Sequence, residues 1–266
     1  MVTYEPGLHY GVPYHPLPGS LSVSSAKTLL KAPALYRWQR EHPTHSDAFD
    51  FGSAAHALVL GVGVESIYVA PFDNWQTKAA QAERRESREA GLSPILPADW
   101  LRVCDMADAL SSHRTAMDLL SGGHAEVYAL AVDAATGVMR RAWIDYLTPT
   151  VASDYKSAAT VEPGAFASAV AKYGYHQQAA WTLDLLADLD HPAQAFAFIA
   201  QEKEPPYLVE VYDLDAEAIA RGRELNARAL ERFRDCTESG IWPGYTARPF
   251  TTLSLPRWAL YDQESA

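Results

Sequence analysis

The sequence predicts an α/β chain, and three stretches carry that reading. Between Pro97 and Leu120, apolar residues recur at Leu101, Val103, Met106, Leu110, Met117 and Leu120, a helical spacing. Between His124 and Lys156 the pattern changes to the alternation of strands, broken by turn residues at Ala134–Gly137 and at Thr148-Pro149-Thr150. From Pro163 to about Leu189 a helical pattern returns.

The middle stretch, Trp143 to Lys156, is the one around which the chain is organised. Val138 to Leu147 is rich in β-branched and aromatic residues, and Val151 to Lys156 runs back beside it or parallel to it. Asp154 and Lys156 are two apart, so on a strand they leave the same face. Asp145 lies near the end of the preceding strand, where it can meet them. Two carboxylates and an ammonium at one point suit a hard divalent cation and a phosphate substrate. His124 to Val132 forms the other arm of a hairpin with Val138 to Leu147. In that pairing Glu126 falls opposite residues close to Asp145, a candidate third acidic group, although a slip of one residue sends it to the other face.

The remaining elements follow in order. Residues 1–20, rich in Tyr, Pro, Gly and His, read as an extended arm. Ser22, Ser24 and Ser25 then precede Leu29, Leu30 and Leu35, so a hydroxyl-capped helix starts there, and Pro33 ends or restarts it. Free N–H groups at such a start, with Lys27 nearby, serve either as a plain cap or as a phosphate site. Tyr36, Arg37 and Trp38 follow. Phe51 to Leu60 is a helix of small and apolar residues with one histidine, His56, set into it. Residues 71–97 look irregular, and Glu83 to Glu89 mixes both charge signs as a solvated helical face or a loop over DNA would. Arg140 and Arg141 face either phosphate or solvent. In the long helix after Pro163, Tyr175 and Gln178 are three apart and share a face. Gln178, set in an apolar stretch, needs a hydrogen-bond partner such as a carboxylate, a water or a phosphate. Ala195–Gln201 and Tyr207–Tyr212 read as strands around a turn, Asp215 caps a helix to about Thr237, and residues 240–266 form an irregular tail that packs back on the domain or on a neighbouring subunit.

Composition bounds the function. The 266 residues are 48% hydrophobic and 21% charged, which suits one globular domain, 1–266. No apolar run reaches the length of a membrane span and the N-terminus lacks a signal-peptide pattern, so a cytoplasmic protein is expected. Cys104 and Cys236 have no metal-ligand spacing and read as free thiols. A net charge of −11 argues against a protein that coats nucleic acid, while leaving room for an enzyme whose basic residues line a channel.

The ordered set is a serine-led helix, a helical histidine, an aspartate at a strand end, D-x-K on the next strand and a helix bearing Y-x-x-Q. In that order it resembles the PD-(D/E)XK nuclease superfamily, and within it the exonuclease VIII (RecE-type) nuclease domain of phages and prophages. LSVSSAKTLLKAPALYRW, FDFGSAAHALVLG, ATGVMRRAWIDYL, SDYKSA, YGYHQQAAW and WPGY with LPRW carry the resemblance over nearly the whole chain. It implies a restriction-endonuclease-like α/β core, a central mixed sheet flanked by helices. It implies Mg²⁺, with Mn²⁺ able to substitute, held by His56, Asp145, Asp154 and the backbone carbonyl of Tyr155. Lys156 takes the place of the catalytic lysine, and Gln178 with Tyr175 that of the polar pair behind the site. Ser153 before Asp154, and Tyr155 where an apolar residue is common, depart from the pattern without removing a catalytic group. The implied activity is a 5′→3′ exonuclease on duplex DNA ends that leaves 3′ tails for a single-strand annealing (RecT-like) partner. The implied assembly is a ring, a tetramer or a trimer, with a DNA channel assigned to Arg37, Arg84, Arg85, Arg140 and Arg141. The alternatives are a RecB-like or CRISPR-associated nuclease of other polarity, and a non-catalytic module that binds DNA ends or a recombinase. An iron–sulfur form of the RecB-like branch needs four cysteines, and two are present.

Overall fold

The structure, a computed structural model, describes residues 4–12, 17–42, 47–246, 250–256 and 259. Its centre is the hairpin expected from the sequence. β5 (His124–Val132) and β6 (Met139–Leu147) pair antiparallel, and β7 (Val151–Ala158) returns antiparallel to β6. β8 (Ala195–Glu202) joins β7 in parallel, and β9 (Val209–Tyr212) closes that edge antiparallel to β8. The arm also contributes to the sheet. Its β1 (Gly7–His9) pairs with β5, and β2 (Ser20–Ser22) runs parallel to the start of β6. The result is a mixed seven-stranded sheet.

The two ends of β6 have different neighbours. Its first residues pair with β2, whereas only Tyr146 and Leu147 pair with β7, through Ser153 and Ala152. Beyond that point β6 and β7 part, and the backbone groups released there need other partners.

Helices cover both faces. On one side lie α1 (Val23–Lys31), α8 (Tyr175–Asp188) and α9 (Ala216–Ser239), whose Leu29, Trp181, Leu185 and Phe233 pack in one core with Val127, Ile144 and Phe198 of the sheet. On the other lie α3 (Asp47–Leu60) and α5 (Pro97–Ser111), which bury Ala54, Ala55, Val103 and Met106 against Tyr155 and Ile199. Ser22 caps α1 by accepting from the Ser25 N–H, and Asp215 caps α9 through the Ala218 N–H, as their sequences predict. Pro33 restarts the chain as α2 (Pro33–Glu41).

Several expectations are corrected. The apolar run from Pro97 to Leu120 is two helices, α5 and α6 (Arg114–Leu119), with His113 as the second cap, and Leu101 and Met117 are exposed. The run after Pro163 is α7 (Pro163–Tyr173) followed by α8, separated at Gly174, whose φ of +65° ends the first helix in a left-handed turn. Residues 71–97 contain α4 (Lys78–Glu89), between β3 (Ile67–Val69) and β4 (Ser93–Ile95), which form a separate parallel pair. Arg84 and Arg88 of α4 turn inward onto the buried Asp50 of α3. At the start of the tail Trp242 stacks on Tyr36, and the Ala34 N–H donates to the Pro243 carbonyl. Tyr245, Phe250, Leu253 and Leu255 beyond it are exposed. No helix among the described residues is long and apolar enough to cross a membrane.

Candidate active site

The parting of β6 and β7 is where the chemistry gathers. Asp145 lies one residue past the last β6–β7 pair, and its Oδ2 accepts the Tyr155 N–H at 2.8 Å, replacing the lost ladder bond. Alternation along β7 sends Tyr155 to the α3–α5 side, where its hydroxyl donates to Gln201 at 2.7 Å. Asp154 and Lys156 point the other way, towards α8, and form an ion pair. Gln178 of α8 donates to Asp154 Oδ1 at 2.6 Å, so its partner is the carboxylate. Tyr175, one turn earlier, sets its ring 5.2 Å from the Lys156 ammonium.

From the other face, α3 presents His56. Its Nε2 is 3.0 Å from Asp145 Oδ2 and its Nδ1 is 3.2 Å from Glu126 Oε1. The register of β5 on β6 places Glu126 opposite Asp145, between the pairs Ala125–Tyr146 and Val127–Ile144. The small residues Ala54 and Ala55 let α3 lie close to the sheet. The residues singled out in the sequence thus meet: His56, Glu126, Asp145, Asp154, Lys156, Tyr175 and Gln178 form one cluster.

Three carboxylates here share one imidazole and one ammonium, and the electrostatics reflect that imbalance. Burial and the charge of Asp145 push Asp154 up to about 6, against the pull of Lys156. Burial raises Glu126 to about 7, with His56 opposing. Burial disfavours a charged His56, yet Asp145 and Glu126 together lift it to about 9. Asp145 is held below the usual carboxylate range despite its burial, by His56, Lys156 and the Tyr155 N–H. Lys156, although half-buried, is kept above its ordinary value by Asp154 and Asp145.

Among the described residues, no three His, Cys, Asp or Glu side chains stand converged as a ready donor set, because these groups are closed on one another. Their chemistry nonetheless fits a divalent cation. Asp145 and Asp154 are hard oxygen donors, His56 adds an imidazole, and the crowding that raises Asp154 is what an added positive charge relieves.

A cleft of about 230 Å³ opens beside Gln178. Ser22, Ser24, Lys27, Arg141, Gln178 and Thr182 contribute to its lining, which includes two cations and no carboxylate. Lys27 is anchored by donating to the Tyr173 carbonyl at 2.9 Å, at the end of α7. The Lys27 stem passes Gly174, where a Cβ would stand 3.1 Å from Lys27 Cε. Burial and the charge of Lys156 lower Lys27 to about 8. Arg141 bonds Ser20 through its carbonyl at 3.1 Å and its hydroxyl at 2.8 Å, and among the described residues no carboxylate pairs with it. Ser25 lines a neighbouring cleft with Ser24, Thr28 and Arg40.

The basic residues assigned to a channel fare unequally. Arg140, expected to face phosphate or solvent, is buried and paired with Asp188 at the far end of α8. Ten residues separate Asp188 from Gln178, about 15 Å along a helix. Arg84 is taken up by Asp50, and Arg37 lies on an exposed helical face beside Glu41. Arg85 is exposed beside Glu89. Thr182 was missed, although its place four residues after Gln178 puts it on the same helical face.

Residues 22–248 match the model of a family described as "PDDEXK-like domain of unknown function (DUF3799)". Among solved structures, the chain is similar to a protein of Eubacterium rectale described as "Putative exonuclease". That likeness has 13% identity over 90% of each chain and a TM-score of 0.59, and so it shows the shared fold. An alkaline exonuclease of Laribacter hongkongensis matches 72% of this chain and 95% of its own at 15% identity, with a TM-score of 0.31. No curated protein matches. The family is the superfamily that the order of motifs resembles, and its nucleases generally use divalent metal ions. The match spans both the serine-led helix and the Asp145–Lys156 cluster, and the chain belongs to the PDDEXK-like family.

Proposed function

We propose that this chain is a Mg²⁺-dependent DNA exonuclease that acts 5′→3′ on linear duplex DNA. The observation that carries the reading is the convergence of Asp145, Asp154, Lys156 and His56 where β6 and β7 part, with Gln178 fixing Asp154. A divalent cation bound there supplies Lewis-acid activation of the phosphate and lowers the pKa of water. His56, Asp145 and Asp154, with the Tyr155 carbonyl, are the groups that would hold it. Lys156, kept protonated by its aspartates, orients the attacking water and balances charge on the phosphate rather than removing a proton. The cleft with Lys27, Arg141, Ser22 and Ser24 is suited to a neighbouring phosphate, because its lining offers donors and cations without a competing acid.

The wider context is proposed on the RecE-type resemblance: a cytoplasmic enzyme of phage or prophage origin that passes 3′ tails to a RecT-like annealing protein. A ring of subunits, a tetramer rather than a trimer, reconciles a net charge of −11 with DNA held in a channel. The test is digestion of linear duplex DNA labelled separately at its 5′ and 3′ ends, with Lys156→Ala beside wild type. Early, Mg²⁺-dependent release of 5′ label, absent in the variant, is expected. Early 3′ release keeps the nuclease and overturns its polarity. No digestion with Mg²⁺ or Mn²⁺ replaces the enzyme with a module that binds DNA ends.

A further inference from the structure

The β5–β6 ladder is interrupted at one position. Pairs form from His124–Leu147 to Val132–Met139, but none forms at Glu126–Asp145 between Ala125–Tyr146 and Val127–Ile144. Glu126 there has φ of +55°, a left-handed backbone that a side chain with a Cβ rarely adopts. Its strand neighbours Ala125 and Val127 are not turn formers, so the local sequence offers no reason for the kink. The conformation accompanies a particular contact: the carboxylate lies 3.2 Å from His56 Nδ1, while Asp145 lies 3.0 Å from Nε2. The ring is held at both nitrogens, and these point away from each other. A cation ligated by Nε2 would lie on the Asp145 side of the ring, with the Glu126 carboxylate on the Nδ1 side.

We propose that Glu126 is a positioning residue that grips His56 at Nδ1 and aims Nε2 at the cation site, without being a ligand itself. The inference rests on the reading that Asp145, Asp154 and His56 bind a divalent cation. Histidine ligands commonly donate their second N–H to a carboxylate, which fixes the tautomer and the ring plane. Strain retained at such a residue is expected where function requires the placement.

The test uses Mn²⁺ alone, without DNA, titrated into wild type, Glu126→Gln, Glu126→Ala and Glu126→Gly, with metal-free thermal unfolding of each. Glu126→Ala and Glu126→Gly are expected to weaken Mn²⁺ binding about 10- to 100-fold. Glu126→Gln, whose amide oxygen still accepts from Nδ1, should stay near wild type. Glu126→Gly should also raise the metal-free unfolding temperature by relaxing the backbone, so affinity and stability move in opposite directions. Unchanged affinity in Glu126→Ala overturns the positioning role alone. A loss in Glu126→Gln as large as in Glu126→Ala also overturns it, because the charge itself would then be a ligand. A wild type that binds no Mn²⁺ overturns the cation site and this role with it.

Discussion

Two ionic clusters sit six residues apart on α3, and among the described residues one closes two arginines on an acid while the other crowds acids together. At Asp50, two guanidinium groups close on one carboxylate oxygen, Arg88 at 2.5 Å and Arg84 at 3.3 Å, and tie α4 to α3. At His56, three carboxylates share one imidazole and one ammonium. The Asp50 contacts act as a clamp between two helices. Buried acids in excess leave their own charge costly, which the raised Asp154 and Glu126 record. Nothing in the residues next to Asp50 or next to His56 marks one as a clamp and the other as a site, because the groups around each come from distant parts of the chain.

Substitutions at the two clusters should act differently. The largest effect belongs to Lys156→Ala, expected to lower hydrolysis by at least about 10²-fold. End-label release compares it with Arg88→Ala, which should digest DNA nearly as wild type does once folded. Equal losses in both would erase the distinction. In stability the order reverses. Asp50→Ala removes the carboxylate on which Arg84 and Arg88 meet and is expected to cost about 3 kcal/mol, read from the denaturant midpoint. Asp154→Asn, which removes a crowded charge, should cost far less in metal-free protein.

Next in size is the pH dependence. Asp154, Glu126 and His56 are all raised, to about 6, about 7 and about 9. A raised group contributes stability that is fully present below its unfolded value and is lost as pH rises through the folded value. Asp145, held low, works in the opposite sense, and its contribution is lost only in acid. The metal-free unfolding temperature should therefore fall from pH 6 to pH 9. Saturating Mg²⁺ should restore more at pH 9 than at pH 6, where it competes with protons. Calorimetry at both values checks this, and a flat profile would place the acids outside the crowded cluster. The smallest effect is Gln178→Ala. Losing one hydrogen bond to a charged carboxylate is worth about 1.5 kcal/mol, about tenfold in rate, with the unfolding temperature nearly unchanged.

The hairpin, the turn and the D-x-K strand were legible because their residues alternate and their turns are marked by glycine and proline. The caps at Ser22 and Asp215 were legible for the same local reason. The breaks at His113 and Gly174 were not, since the apolar spacing continues on both sides of each. Gly174 lay in plain view, but that it closes one helix in a left-handed turn, and is not a lone glycine within a longer helix, shows only in the backbone. Arg140 and Arg141 looked equivalent. Which of them would meet Asp188 and which would line a cleft depends on how α8 crosses β6, and no local pattern encodes that. Glu126 was placed near Asp145 by register, whereas its left-handed backbone has no signature in the neighbouring residues.

The proposed role of the carboxylates gathered where β6 and β7 part is to bind a divalent cation. The most direct measurement is the amount of free Mn²⁺ by electron paramagnetic resonance during titration at pH 7.5, for wild type and for Asp154→Asn. Saturable binding by wild type that collapses in the variant while the fold is retained is expected. Saturable binding of equal strength in both proteins, or none in wild type, would contradict it.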